Sequence, residues 1–193
     1  MQELTASKEN IGQTDPFLDI PRSCRTRIAS NLLRSMAALF RKQKNVYKLF
    51  FSITKKLHKL FSISTAVLVV RSTRDGHLKV IAIKRPTYSR EGLALTLPEK
   101  DSLFYSILRN PAIYTENFSP GFDGNFIERK LMLDDRTKSL AICPIIADGV
   151  VAGLVCFTSP AVYAFQSFQE GFLDPVLKQF GAVLGEEERR LNL

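Results

Sequence analysis

Residues 139–159 read SLAICPIIADGVVAGLVCFTS, two apolar runs joined by Asp148-Gly149. Asp-Gly between hydrophobic runs signals a β-hairpin, because a type I′ turn needs positive φ at both central residues. With that turn, Ala147 faces Val150, Ile142 faces Val155 and Leu140 faces Phe157. One face then carries Leu140, Ile142, Ile146, Val151, Val155 and Phe157. The other carries Ala141, Cys143, Ile145, Val150, Leu154 and Cys156. Both are apolar. A sheet with one wet face alternates apolar and polar residues, so each side of this hairpin must be covered. The pattern predicts helices behind the sheet, with packed loops or a ligand cavity in front. It points to a sensory binding module more than to an enzyme.

Composition is that of an ordinary globular chain: 193 residues, 45% hydrophobic and 24% charged. No apolar run approaches the ~20 residues of a membrane-spanning helix. The opening MQELTASKENIGQTDPF lacks the apolar core of a signal peptide, so a cytoplasmic location is expected. The three cysteines, Cys24, Cys143 and Cys156, form neither a disulfide framework nor a metal spacing. In the register above Cys143 pairs with Leu154 and lies diagonal to Cys156, about 7–8 Å away. That is too far for an easy disulfide, and both read as small buried hydrophobes.

The net charge of +8 is carried by the first third of the chain. Residues 1–62 hold 12 Lys/Arg against 4 Asp/Glu, whereas residues 63–193 hold 15 of each. Residues 1–28 read as a flexible polar arm. Residues 29–62 read as one basic amphipathic helix. In it Met36, Leu39, Val46, Phe50, Ile53, Leu57 and Leu60 follow alternating three- and four-residue steps, the signature of a helical dimer seam. Residues 63–193 then form the globular domain and its closing helix.

Within that domain, residues 66–71 and 78–84 read as strands joined at Asp75-Gly76. Residues 85–97, with Pro86 and Gly92, read as loop. Residues 98–108 read as a helix capped by Asp101 and stopped by Asn110-Pro111. A short strand is expected at 112–115, and a short helix capped by Asp123 carries Phe126, Ile127 and Leu131. After the hairpin, Phe165, Phe168, Phe172, Leu177, Phe180 and Leu184 mark a closing helical region, restarting at Asp174-Pro175. The predicted class is α+β. A central antiparallel sheet has N- and C-terminal helices on one face and loops or short helices on the other.

With those elements in place the chain resembles a GAF domain over roughly residues 45–185. The resemblance is carried by the AVLVV strand, the segment PEKDSLFYSILRNPAIYTEN, the hairpin and the closing helix. Pro144 before the turn and Gly153 after it fit the family's habit. The resemblance implies a GAF/PAS-like fold and a small-molecule or cofactor pocket on one sheet face. It also implies helices used for dimerisation on the other face, and control of an output domain or protein. The specialised branches find little here. The Asn-Lys-x-Phe-Asp-Glu signature of cyclic-nucleotide binders is absent. Cys143 and Cys156 have no histidine neighbour to suggest a bilin site. The loop cysteines of the methionine-sulfoxide-reducing members are missing. Neither His58 nor His77 is placed as a haem ligand. The cofactor is therefore left unnamed, and no metal site is expected.

No phosphate loop, nucleophile elbow or metal motif appears, and Asp134-Asp135 reads as a charged turn. The chain is expected not to be an enzyme; a small enzyme with unrecognised catalytic residues is a rival. Tyr105, Tyr114, Glu116, Phe118, Phe122, Phe126 and Arg129 are the candidate pocket residues, since aromatic walls with a few polar groups suit a ligand. The same residues equally suit a filled front face, which would make the chain a dimerisation or scaffold module. For the basic helix, residues 22–59, three readings stand. They are a solvated surface around a dimer seam, an anionic-membrane surface, or a nucleic-acid contact. The working expectation is a homodimeric regulatory domain that binds a small molecule.

Overall fold

The computed structural model describes residues 30–32, 34–39, 44–117 and 122–191. The expected arm, with Cys24, lies outside the described residues, and so does Phe118. Helical backbone at 30–32 and 34–39 (α1) is followed by α2 (Val46–Phe61), β1 (Thr65–Arg71), β2 (Leu78–Lys84) and β3 (Ser89–Thr96). Then come α3 (Leu103–Arg109), β4 (Tyr114–Asn117), α4 (Phe126–Met132), β5 (Ser139–Ala147) and β6 (Val150–Ser159). The chain closes with α5 (Gln166–Gln169) and α6 (Asp174–Leu191). The strands form one antiparallel sheet in the order β3-β2-β1-β6-β5-β4.

The hairpin turn is where the sequence places it, with Asp148 at φ 50° and Gly149 at φ 81°. The register beyond the turn is different. Ala147 pairs Val150 and Ile146 pairs Val151, but Ile145 then pairs Gly153. This bulge puts one extra residue in β6. Cys143 therefore faces Val155, and Ala141 faces Phe157. A one-residue slip moves every later side chain to the opposite face. Val155 and Phe157 consequently join Ala141, Cys143 and Ile145, while Leu154 and Cys156 join Leu140 and Ile142.

Those two groups are the two cores. The back core receives α2, α5 and α6, and the front core receives α3 and α4. The back face of the sheet is rich in small residues, including Ala66, Ala82, Ala141, Ala147 and Ala152. Helices can therefore come close. At Gly181 of α6 a Cβ would overlap the Ile146 carbonyl oxygen of β5. Gly153 has the same role within the sheet, where a Cβ would overlap the Val69 carbonyl oxygen of β1.

The basic region is not one continuous helix. Lys44 and Asn45 are non-helical. Asn45 has extended backbone (φ −89°, ψ 120°), and its side chain accepts from Lys48 N at 2.9 Å as the N-cap of α2. The second half, α2, packs on the domain against β2 and α6, as its wide apolar stripe implies. Met36, Val46, Phe50, Ile53 and Leu57 are buried in this chain's own back core, with Leu39 and Leu60 packed against its rim. Their three-and-four spacing records an intramolecular stripe.

Other boundaries shift for local reasons. Residues 89–96, expected as loop, form the edge strand β3, whose side chains are almost all exposed and so give no buried period to read. Ser102 rather than Asp101 caps α3, and Asp101 sits at φ 53°. Asn125 rather than Asp123 caps α4. The short strand runs Tyr114–Asn117, and α6 starts at Asp174 as expected.

Two outcomes follow from the back core. Gly181→Ala lowers the unfolding free energy by about 1–3 kcal/mol in urea titrations, the usual cost of overpacking. Leu57→Lys places an unpaired charge among buried phenylalanines and abolishes the cooperative circular-dichroism melt. A stably folded Leu57→Lys chain whose only change is its mass by light scattering would return Leu57 to an intermolecular seam.

Candidate functional site

The candidate pocket residues fall in separate places. Tyr105, on α3, is buried in the front core, and its hydroxyl accepts from Leu78 N of β2 at 2.9 Å. Phe122 is buried in the same core. Tyr114 and Glu116 lie on β4, where the Tyr114 hydroxyl donates to Glu116 Oε2 at 2.9 Å. From β2 to β4 is four strand spacings, about 19 Å. Burial raises the Glu116 carboxyl; the Tyr114 hydrogen bond opposes this, and the Asp123 charge adds to it. Burial, then the Glu116 contact, push the Tyr114 phenol well above its ordinary range. Phe126 is 68% exposed, with Lys130 Nζ 5.5 Å from its ring centre. Arg129 Nη2 donates to the Phe122 carbonyl at 3.5 Å.

The residue that organises the front face is Glu128, which is fully buried. Its carboxyl accepts from Leu103 N (3.0 Å), Phe104 N (3.1 Å), Asn125 N (3.1 Å) and the Ser102 hydroxyl. One side chain thus satisfies the opening amides of α3 and completes a capping box with Asn125 at the start of α4. At the other end of α4, Arg85 Nη2 donates to the carbonyls of Lys130 (3.2 Å) and Leu131 (3.0 Å). The Asn125-x-x-Glu128 spacing was the sequence signal for the box. Nothing local marked its reach to α3, 24 to 26 residues away in sequence.

Two cavities lie elsewhere. One, of about 660 Å³, sits at the hairpin tip between the Asp148-Gly149 turn and α6, and includes Ile146, Asp174, Leu177, Lys178 and Ala182 in its wall. The other, of about 520 Å³, lies between α2 and the end of β2. Cys143 and Cys156 are free thiols, completely buried on opposite faces of the sheet. Burial pushes both thiols far up, so neither presents a thiolate near neutral pH. Among the described residues no cluster of three or more His, Cys, Asp or Glu is placed to hold a metal ion. No described helix is long and apolar enough to cross a membrane.

The chain's overall fold is similar to that of several solved structures. One is the GAF domain of a phosphoenolpyruvate-protein phosphotransferase from Coxiella burnetii, with TM-score 0.68 and 15% identity, covering 86% of this chain and 97% of that one. The chain has the GAF fold. A second is the GAF domain of a two-component sensor histidine kinase from Bacillus halodurans (TM-score 0.63, 15% identity, 77% of this chain and 99% of that one). A third is free methionine-R-sulfoxide reductase from Neisseria meningitidis in complex with its substrate (TM-score 0.65, 12% identity, 86% and 92%). No family model matches the sequence, and no curated protein matches it. At these identities the likeness is one of fold.

Glu128→Ala strands the hydroxyl of Ser102 and the amides of α3, and costs about 3 kcal/mol of stability in urea titrations. Glu128→Gln, which keeps part of the hydrogen bonding, costs less. In a Cys24→Ser background the folded chain reacts with no equivalent of a thiol reagent at pH 8, and with two after denaturation. Rapid labelling of the folded protein would place a reactive thiol in this GAF fold.

Proposed function

We propose that the chain is a non-catalytic regulatory module that binds a small molecule at the hairpin tip and reports its presence through α6 and α2. The observation that carries this reading is that α6 walls the 660 Å³ cavity and also packs in the back core with α2. The size lies within the range of small-molecule sites. The wall combines Ile146, Leu177 and Ala182 with Asp174 and Lys178, which suits a mainly apolar ligand bearing one or two polar groups.

Transmission needs a ligand that favours one arrangement of α6 over another. The back core supplies the mechanical link. Phe61, at the end of α2, packs against Phe165, Phe168 and Phe172 at ring-centre distances of 6.2, 4.9 and 5.7 Å. A displacement of α6 reaches α2 through their direct packing and through Phe172, two residues ahead of α6. The GAF domain of the sensor histidine kinase supports a sensory role by its fold. The reductases show that the fold also carries catalysis; the buried cysteines here favour the regulatory reading over that chemistry. A cytoplasmic setting and a separate output protein complete the proposal.

The test uses native mass spectrometry of the full chain purified from its own host, beside an Ala182→Phe variant. Ala182 is exposed on α6, so the variant folds while its ring occupies the cavity. The expected result is a stoichiometric small-molecule adduct on the wild-type chain that Ala182→Phe abolishes. An adduct retained by the variant moves the site elsewhere. A chain with no adduct, and no thermal shift across a metabolite panel, is a scaffold.

A further inference from the structure

Thr54, Lys55 and His58 lie along one side of α2 at helical spacing. They face Lys84 and Arg85 at the end of β2 across a cavity of about 520 Å³. We propose that this cavity binds the phosphate monoester of a small phosphorylated molecule. It is distinct from the hairpin-tip site, and neither proposal depends on the other.

Charge is the first argument. Lys55, His58, Lys84 and Arg85 line the cavity and, among the described residues, no Asp or Glu does; the Arg85 guanidinium also holds the Lys130 and Leu131 carbonyls through Nη2. Among the described residues, neither Lys55 nor Lys84 has an ion-pair partner. Lysines left without counter-charge around a concavity suit a compact dianion. The surrounding sequence agrees: no carboxylate occurs between Asp19 and Asp75.

Hydrogen bonding is the second argument, and it is independent of charge. Thr54 is 3% exposed, and its hydroxyl has no hydrogen-bond partner among the described residues. A threonine inside a helix normally turns its hydroxyl onto the carbonyl one turn back. A buried hydroxyl without a partner is unfavourable, and a phosphate oxygen would supply one. Arg85 Nε is likewise buried and unpartnered.

The end of α2 does not stand in the way. Its terminal carbonyls carry partial negative charge, but that of His58, a residue of the cavity wall, is taken. Ser62 N donates to the His58 carbonyl at 3.0 Å. His58 Nδ1 donates to the Ile63 carbonyl at 2.7 Å. Phe51 adds an apolar wall for the organic part of the ester. The recessed Thr54 hydroxyl is reached by a terminal monoester, and not by the diester backbone of a nucleic acid lying across the surface.

The experiment titrates the full, ¹⁵N-labelled chain with glucose 6-phosphate, with glucose, and with sodium chloride at matched ionic strength. In parallel, the chain is mixed with phosphatidylcholine vesicles with and without phosphatidylinositol 4-phosphate. The expected result is saturable amide shifts at Thr54, Lys55, Lys84 and Ser89 and a raised Tm with the phosphorylated probe alone. Lys55→Ala with Lys84→Ala weakens binding by about tenfold or more. Thr54→Val weakens binding by about fivefold, yet raises the Tm of the free chain by about 3 °C, because it deletes an unpaired buried hydroxyl at constant shape. That opposed pair of effects separates a binding role from a structural one. A response to the soluble ester identifies a metabolite; a response confined to the phosphoinositide vesicles identifies a lipid headgroup. No response to either, an equal response to sodium chloride, or unchanged binding in Thr54→Val overturns the proposal.

Discussion

One extra residue in β6, at the bulge between Val151 and Gly153, decides which hairpin side chains meet the helices. Beyond it Phe157 turns to the back face, where its ring lies 6.1 Å from that of Phe168. Phe168 in turn touches Phe61, Phe165 and Phe172. Without the bulge Phe157 and Val155 would point forward, and Cys156 and Leu154 would face the helices in their place. The aromatic cluster joining α2 to α5 and to the turn before α6 would then lose the ring that ties it to the sheet. Gly153 belongs to the same arrangement, because the bulged strand runs hard against the backbone of β1 at Val69.

The two faces are closed by different physics. Behind the sheet, alanines and Gly181 let helices approach closely, and burial of large aromatics supplies the stabilisation, roughly 1.5–3 kcal/mol for each side chain fully removed from water. In front, a buried carboxyl is the joint. Glu128 serves four donors on two short helices. Such a network is stabilising when complete and costly when one member is lost. It also fills the ground where α3 and α4 begin. Aromatic residues that look like pocket walls in the sequence, Tyr105 and Phe122, are packing for this layer.

The sequence was most legible where a rule is local. The Asp148-Gly149 turn, the apolar strands β1, β2, β5 and β6 and the Asp174-Pro175 helix start all depend on neighbours within a few residues. It was least legible where the deciding partner is remote. The bulge reflects contact between Gly153 and β1, some 80 residues earlier in the chain. The seam of Met36, Val46, Phe50, Ile53 and Leu57 has a period that fits another chain and its own sheet equally well, and only tertiary packing chooses. β3 has no buried face, so periodicity had nothing to register. The break at Asn45 was readable in principle, since asparagine is a favoured N-cap, but the apolar steps on either side ran straight through it. Of the candidate site, the residue types were visible and their assembly was not.

Both cavities adjoin the same helix pair. α6 walls the one at the hairpin tip, α2 walls the basic one, and the two helices pack against each other in the back core, where Phe61 also meets Phe168 of α5 and Phe172 just before α6. A close-packed cluster of this kind does not deform smoothly; it moves between discrete packings. Gly181 narrows the choice further, because backbone contact with Ile146 fixes the height of α6 above the sheet and leaves sliding or rotation as the available motions. Any occupant of either cavity that prefers one packing therefore biases the other cavity as well, by the reciprocity that governs coupled sites.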